Sequence, residues 1–306
     1  MSKQLTLSAS PHIHSGRSTW SIMLDVIIAL LPATVAGCVI FGLRALLVIA
    51  LTVASSVGFE ALFNLITKKK QTVGDLSAIV TGLLLALNLP ATVPLWQCVI
   101  GAMFAIVVVK CLFGGLGQNP VNPAITARVF MLVAFGSMAK TAFPTVVDTV
   151  AGATPLTSES ATSLTDLLLG LHGGSIGETC AVALLVGFVY LLVRRVISWH
   201  LPVVFIGTVF VASLCMEGFD FTAALAAVLS GGLLIGAIFM ATDYVTSPIT
   251  KGGKIVFGIL LGVLTGIFRI YGNNAEGVSY AIIIANLLVP LIEKMTMPRP
   301  FGKGGR

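Results

Sequence analysis

Apolar runs of 17 to 22 residues recur along almost the whole of this chain, with little between them. A hydrocarbon core about 30 Å thick takes about 20 apolar residues to cross as a helix, so these run lengths limit the fold more than any other feature. Lipid offers the backbone no hydrogen bonds, and the runs lack the two-residue alternation of a barrel strand, so helices are expected. Composition agrees: 57% of the residues are hydrophobic and 10% charged, whereas about a quarter of a soluble domain is charged. The expected fold is an all-α polytopic membrane protein.

Ten spans are predicted, near residues 22–41, 45–66, 73–89, 95–113, 121–138, 179–197, 201–217, 221–241, 254–270 and 277–294. The polar start, Met1 to Thr19, has no cleavage pattern, so the first run is expected to be a retained helix. With this terminus taken as cytoplasmic, Lys3, Arg17, Lys68, Lys69, Lys70, Lys110, Arg194, Arg195, Lys251, Lys254, Lys294, Arg299, Lys303 and Arg306 fall on or near the cytoplasmic side. Arg44, Lys140 and Arg269 fall opposite, and Arg128 lies inside the fifth span. That asymmetry is the positive-inside pattern for ten spans with both termini inside. The net charge of +6 therefore follows membrane topology. Lipid is the expected surroundings and nucleic acid is not an expected partner.

The chain also repeats itself. Gly82 through Pro94 lies over Gly236 through Pro248; beyond an insertion at Lys251-Gly252-Gly253, Gly101 matches Gly258, Gly115 matches Gly272, Val121 matches Val278 and Ala124 matches Ala281. Five spans per half force the halves into opposite orientation, an inverted repeat. The expected division is a cytoplasmic segment 1–20, a first five-helix repeat 21–138, an outer-face loop 139–178, a second five-helix repeat 179–294 and a basic cytoplasmic tail 295–306. Each half interrupts its apolar pattern at corresponding places: Asn88-Leu89-Pro90 and Gly117 to Pro123 in the first, Thr242 to Pro248 and Gly272-Asn273-Asn274 in the second. Paired interruptions point to a binding site between halves; loop ends at the interface are the equal alternative.

Ionisable residues in or near the spans are Asp25, Glu60, Lys110, Arg128, Asp243 and Arg269. Each is costly in hydrocarbon, which makes each a candidate for function or for internal pairing. For Asp25 and Glu60 a place near the interface is the weightier reading. Asp243, bracketed by Thr242, Thr246 and Ser247 in a broken segment, could bind a cation or a polar ring. Asn119 and Asn122 could offer amides to a planar ligand such as an isoalloxazine; helix-breaking loop residues are a comparable alternative. The five cysteines are scattered without a C-x-x-C pair, so no zinc or iron–sulfur site is expected within this chain. Gly114-Gly115-Leu116-Gly117 lacks the strand–turn–helix setting of a dinucleotide fingerprint. No Walker motif, H-E-x-x-H or hydrolytic triad is present, and no catalytic residue or metal ligand is named.

The long polar interval holds Asp148 through Thr157, where Thr154 follows Gly152 and Ala153 and precedes Pro155. Proline biases Thr154 towards extended backbone, so its hydroxyl projects as a modification site requires; by spacing alone the stretch is more often a plain turn. The topology sets it on the outer face.

Taken together, Ser10-Pro11-His12-Ile13-His14, Ser21 to Asp25, Gly114 to Pro120, Met240 to Asp243 and Gly152 to Leu156 resemble, in order and end to end, the family of D subunits of Rnf ion-translocating oxidoreductases. That family is related to the B subunits of the sodium-pumping NADH:quinone reductase. The resemblance implies FMN joined to Thr154 through a phosphoester, installed from FAD with Mg²⁺ by a flavin transferase that reads a D-x-x-[ST]-G-A-T pattern. Asp148, Gly152, Ala153 and Thr154 match that pattern, and Ala151 departs from it. It further implies a second, non-covalent flavin (riboflavin or FMN) in the bundle, for which Asn119, Asn122, Asp243 and Thr246 are the candidates. The partners implied are the A, B, C, E and G subunits of the Rnf complex, in the bacterial inner membrane. The expected activity is electron transfer between ferredoxin and NAD coupled to Na⁺ or H⁺ transport. Two alternatives stand beside it: a secondary transporter or channel for a small solute without bound flavin, and a scaffold that only holds redox partners.

Overall fold

The computed structural model describes residues 17–136, 164–271 and 277–298. Every regular element among them is helical: α1 (Thr19–Phe41), α2 (Leu43–Ile66), α3 (Ser77–Leu87), α4 (Leu95–Met103, continuing as a π-helix over Phe104–Cys111), α5 (Pro123–Ala134), α6 (Leu164–Leu169), α7 (Ala181–Val193), α8 (His200–Met216), α9 (Phe221–Leu229), α10 (Leu233–Ile235, continuing as a π-helical turn over Gly236–Met240), α11 (Lys251–Tyr271) and α12 (Gly277–Thr296), with a 3₁₀ turn over Val73–Asp75. Local chemistry sets several of the starts. Ser18 caps α1 by accepting the amide of Ser21. Asn122 caps α5 through the amides of Ala124 and Ile125, with Pro123 at the first position, where its missing N–H costs nothing. Asp220 caps α9, and the hydroxyl of Thr222 with the amides of Thr222 and Ala223 holds its carboxyl below the ordinary carboxylate range.

Each of the ten predicted spans has a helical core at its place, and α1, α2, α11 and α12 are long and apolar enough to cross a membrane. Most of the others are shorter than the runs suggested, although α8, at 17 residues, is as long as its run. Helix α5 has 12 residues, about 18 Å of rise. The run at 221–241 is two pieces, α9 and α10, bent by 64° at Ser230–Gly232. Part of the remainder is irregular backbone buried in protein, the one place such backbone is tolerated at membrane depth. After α3, for example, Asn88, Leu89, Ala91 and Val93 are all buried. Their carbonyls find donors: Ile176 N and Gly177 N reach Leu89 O and Leu87 O at 3.0 and 2.8 Å, and the Arg44 guanidinium reaches Ala91 O at 3.0 Å. Arg269 likewise donates to Ala227 O at 2.7 Å and Ser230 O at 3.4 Å, at the carbonyl end of α9. Arg44 and Arg269, two of the three exceptions to the charge asymmetry, are thus the cations that satisfy freed carbonyls.

The last part of the interval 139–178 carries more structure than its polarity announces. Helix α6 packs on α7 and α9, and His172, Ser175, Glu178 and Thr179 are buried.

Packing follows the sequence repeat. Helix α2 packs on α3 and α4, and α8 on α9 and α11. The seam between the halves is made by counterparts, α1 against α7 and α5 against α12. Small residues let α1 close on its neighbours: a Cβ at Gly187 of α7 would lie 2.3 Å from Ala29 O, and one at Gly37 would lie 2.5 Å from Ile176 O in the segment before α7. Backbone atoms cannot give way as a side-chain tip does. Gly187→Ala is therefore expected to cost about 1–3 kcal/mol as overpacking, read as a lowered midpoint of detergent denaturation. Gly207→Ala in α8, where nothing lies within 4 Å, should leave the midpoint unchanged apart from helix propensity.

Candidate functional site

One end of the bundle holds a cavity with an open mouth. Its wall is drawn from both halves: the start of α1 (Met23, Val26), the start of α3 (Ser77, Val80, Thr81, Leu84), Lys110 at the end of the π-helix, and the loop leading into α5 (Leu116, Asn119, Asn122). From the second half come Leu191 of α7, Val196 and Ile197 after it, Phe239, and Thr242 to Val245. Two of the paired interruptions in the sequence, Gly117–Pro123 and Thr242–Pro248, meet here. A third, Asn88–Pro90, lies instead beside Arg128, and Gly272–Asn274 falls outside the described residues.

Three of the four residues named for a second flavin, Asn119, Asn122 and Asp243, line this cavity. Thr246 stands behind them, its hydroxyl donating to Asp243 Oδ2 at 3.2 Å. They differ in what they have left to offer. Asn122 is committed to structure: its oxygen caps α5 at 3.0 and 3.4 Å, and its amide donates to Met240 O at 3.3 Å. Asn119 donates one N–H to Val121 O at 3.1 Å and keeps its carbonyl oxygen. The Asp243 carboxylate accepts from Val245 N and Thr246 Oγ1 and retains acceptor capacity towards the cavity. Asn286, with its amide turned to donate to Thr246 O and accept from Asn122 N, ties α12 to the same corner.

Lys110 brings a cation to the cavity wall, and it is paired. Its Nζ donates to Glu60 Oε2 at 2.9 Å and to Ser77 Oγ at 2.6 Å. The lysine and glutamate side chains are 3% and 2% exposed, so Glu60 is buried within the protein and internally paired. Thr72 donates to Glu60 Oε1 at 2.5 Å, Asn64 donates to Thr72 at 2.9 Å, and Ser77 donates to Asp75 at 2.5 Å. Asp25 is also buried, where it accepts from Tyr190 at 3.0 Å and Arg194 at 3.1 Å. Both π-helical turns, over Phe104–Cys111 and Gly236–Met240, lie against this region, a setting in which such turns are frequent.

A second polar centre surrounds Arg128, in the body of α5. Its guanidinium donates to Asn88 Oδ1, to Ser175 Oγ at 3.4 Å and to Glu178 Oε2 at 3.5 Å. Burial holds the nearby His172 imidazole below its ordinary pKa, towards the neutral form. Met240 joins the two centres, taking the Asn88 amide on its sulfur at 3.6 Å and the Asn122 amide on its carbonyl. Sequence reasoning passed over Glu178, Ser175, Asn88 and Met240 as functional neighbours. The polar run His172 to Thr179 was the available signal for the first two.

Thr154, Asp148, Gly152 and Ala153 lie outside the described residues. Among the described residues no cluster of three or more His, Cys, Asp or Glu could hold a metal ion, and all five cysteines are free.

Known proteins share this sequence over most of its length. The model of the NQR2, RnfD, RnfE family matches residues 6–302. Over 97% of this chain and 95% of the relative, it is 47% identical to the D subunit of the Na⁺-translocating ferredoxin:NAD⁺ oxidoreductase complex of Acetobacterium woodii. It is 39% identical to the D subunit of the proton-translocating ferredoxin:NAD⁺ oxidoreductase complex of Clostridium ljungdahlii, over 97% of this chain and 96% of the relative. It is 38% identical to the D subunit of the ion-translocating oxidoreductase complex of Stutzerimonas stutzeri, over 93% and 92%. With a match spanning nearly its whole length, this chain belongs to the NQR2, RnfD, RnfE family.

Proposed function

We propose that this chain is a membrane subunit of a multisubunit, Rnf-type ion-translocating oxidoreductase, in which electron transfer between ferredoxin and NAD drives Na⁺ or H⁺ across the membrane. The observation that carries the reading is the 47% identity, over 97% of the chain, to a subunit of a complex so named. The relatives include one named for Na⁺ and one named for protons, so the choice of ion is left to the assembled complex. The natural setting is the bacterial inner membrane, with both termini cytoplasmic and the A, B, C, E and G subunits as partners.

In this reading Thr154 carries FMN through a phosphoester on the outer face. The Asp148, Gly152 and Ala153 motif supports it. A threonine hydroxyl is a weak nucleophile without a base or metal beside it, which accords with attachment by a separate flavin transferase. A second flavin, riboflavin or FMN, occupies the cavity at the other end. The chemistry of the lining supports this reading: Val80, Leu84, Leu191 and Phe239 are apolar residues of the wall, while Asn119, Asp243 and Lys110 bring an amide, a carboxylate and an ammonium. A bound flavin supplies one- and two-electron chemistry that no side chain here has. The residues hold it, exclude water and set the charge around it. The work done is substantial, since one charge moved against 100 mV costs about 2.3 kcal/mol.

The test is flavin fluorescence of the denatured subunit on a gel, after co-expression with an active transferase. Wild type should fluoresce and Thr154→Val should not, while acid-extractable flavin stays the same in both. A dark wild-type band would overturn the covalent assignment.

A further inference from the structure

We propose that Thr72, Glu60 and Lys110 form a proton-conducting chain from solvent to the cavity, delivering the proton that a ligand reduced there takes up. The inference rests on reading the cavity as a flavin site. It begins from continuity. Thr72 is exposed on the loop between α2 and α3, and its hydroxyl reaches Glu60 Oε1 at 2.5 Å. Glu60 is 2% exposed, and its other oxygen receives Lys110 Nζ at 2.9 Å. Lys110 and its second partner, Ser77, form part of the cavity wall. Two side chains thus bridge solvent and cavity wall, Glu60 and Lys110, with no gap beyond 2.9 Å.

A purely structural ion pair would need neither end to continue. Buried pairs are in any case weak sources of stability, because a well-packed apolar pair of similar volume does as well or better. This one is extended at both ends, by the hydroxyl of an exposed threonine and by a lysine of the cavity wall. Adding an electron to a ligand in a low-dielectric site leaves a charge that is costly unless a proton follows, and the chain supplies that route.

The step balances. Electrons reach the ligand from an iron–sulfur donor of the complex. Lys110 passes one N–H proton to the resulting anion, and its N–H bond breaks as the bond to the ligand forms. Solvent protonates the Thr72 oxygen, Thr72 releases its own hydrogen to Glu60 Oε1, and rotation about Cγ–Cδ turns the acid towards Lys110. Glu60 then returns a proton to Nζ, restoring the carboxylate and the ammonium. The net change is one proton taken from solvent and one negative charge cancelled. The titratable neighbours are Asp75 through Ser77, Lys69 and Cys111 beside the pair, and Asp243 and Tyr244 across the cavity.

Thr72→Val in the purified complex removes the relay hydroxyl without touching the cavity. The readouts are acid-extractable flavin content and the rate of cavity-flavin reduction by a rapidly mixed one-electron donor, in H₂O and D₂O. Flavin content should be unchanged, the proton-coupled phase should slow by at least about tenfold, and millimolar formate should restore it. Thr72→Ser, which keeps the hydroxyl, should behave as wild type. Full flavin with unchanged rate and isotope effect in Thr72→Val would overturn the relay alone. Loss of flavin in that variant would also count against it, since Thr72 would then be structural. A wild-type complex without extractable flavin would overturn the cavity reading and the relay together.

Discussion

Glu60→Leu is expected to lower stability by about 3–5 kcal/mol, because it strands the buried Lys110 ammonium without the carboxylate that touches it. The loss has two parts. The pair itself contributes little net, since desolvation of both ions offsets most of their attraction. The larger part is the orphaned charge, which must be buried bare, lose its proton or open the fold to water. The double variant Glu60→Leu/Lys110→Met should therefore recover most of the loss, although it removes more polar contacts than either single change. Detergent-denaturation midpoints of wild type, both single variants and the double variant give the comparison. Additive losses in the double variant would show that the contact is ordinary packing and not charge compensation.

Arg128→Met should cost a similar amount, about 3–5 kcal/mol, through a different geometry. The guanidinium serves Asn88 at the end of α3 and both Ser175 and Glu178 in the 172–178 segment, two separate stretches of chain. A planar fork can do this and a single ammonium cannot. Arg128→Lys should thus keep the charge against Glu178 and still lose much of the stability, falling between wild type and methionine. Limited proteolysis at the α3 end and at the 172–178 segment gives a local reading, since both lose their anchor. A lysine variant as stable as wild type would mean that charge alone matters there.

Much of the fold was legible in run length. The ten helical cores sit where the apolar runs sit, because burial in lipid and burial in protein both reward apolar residues. What hydropathy could not register was where helix gives way to irregular backbone inside a run. Gly231 and Gly232 break the run at 221–241, yet two glycines barely change the average of a window in which Leu and Ala dominate. The same blindness hid the partners of Asp25 and Glu60. Arg194 is 169 residues from Asp25 and Lys110 is 50 from Glu60, and no local pattern announces a contact that the tertiary fold creates. The family resemblance groups Asn119, Asn122 and Asp243, and each lies in an interruption of the apolar pattern, although the two interruptions are not each other's counterparts in the repeat. Asn122 was also the loop residue that the alternative allowed, since the amide that lines the cavity is the one that starts α5.

The glycine contacts between α1 and α7 have a mechanical consequence. Carriers that rock one half against the other need an interface whose side chains can re-seat. Here Gly187 of α7 presses on the α1 backbone at Ala29, and Gly37 of α1 presses on Ile176 in the segment leading to α7, with no room for even a methyl group, and packed interiors transmit strain because they do not yield locally. A seam of that kind behaves as a keyed joint and not as a hinge. Whatever the cavity at the end of this seam holds, between Met23 and Val26 of α1 and Leu191 of α7, it is held in place by both halves at once, a fixed setting that the rocking of a solute carrier would disturb.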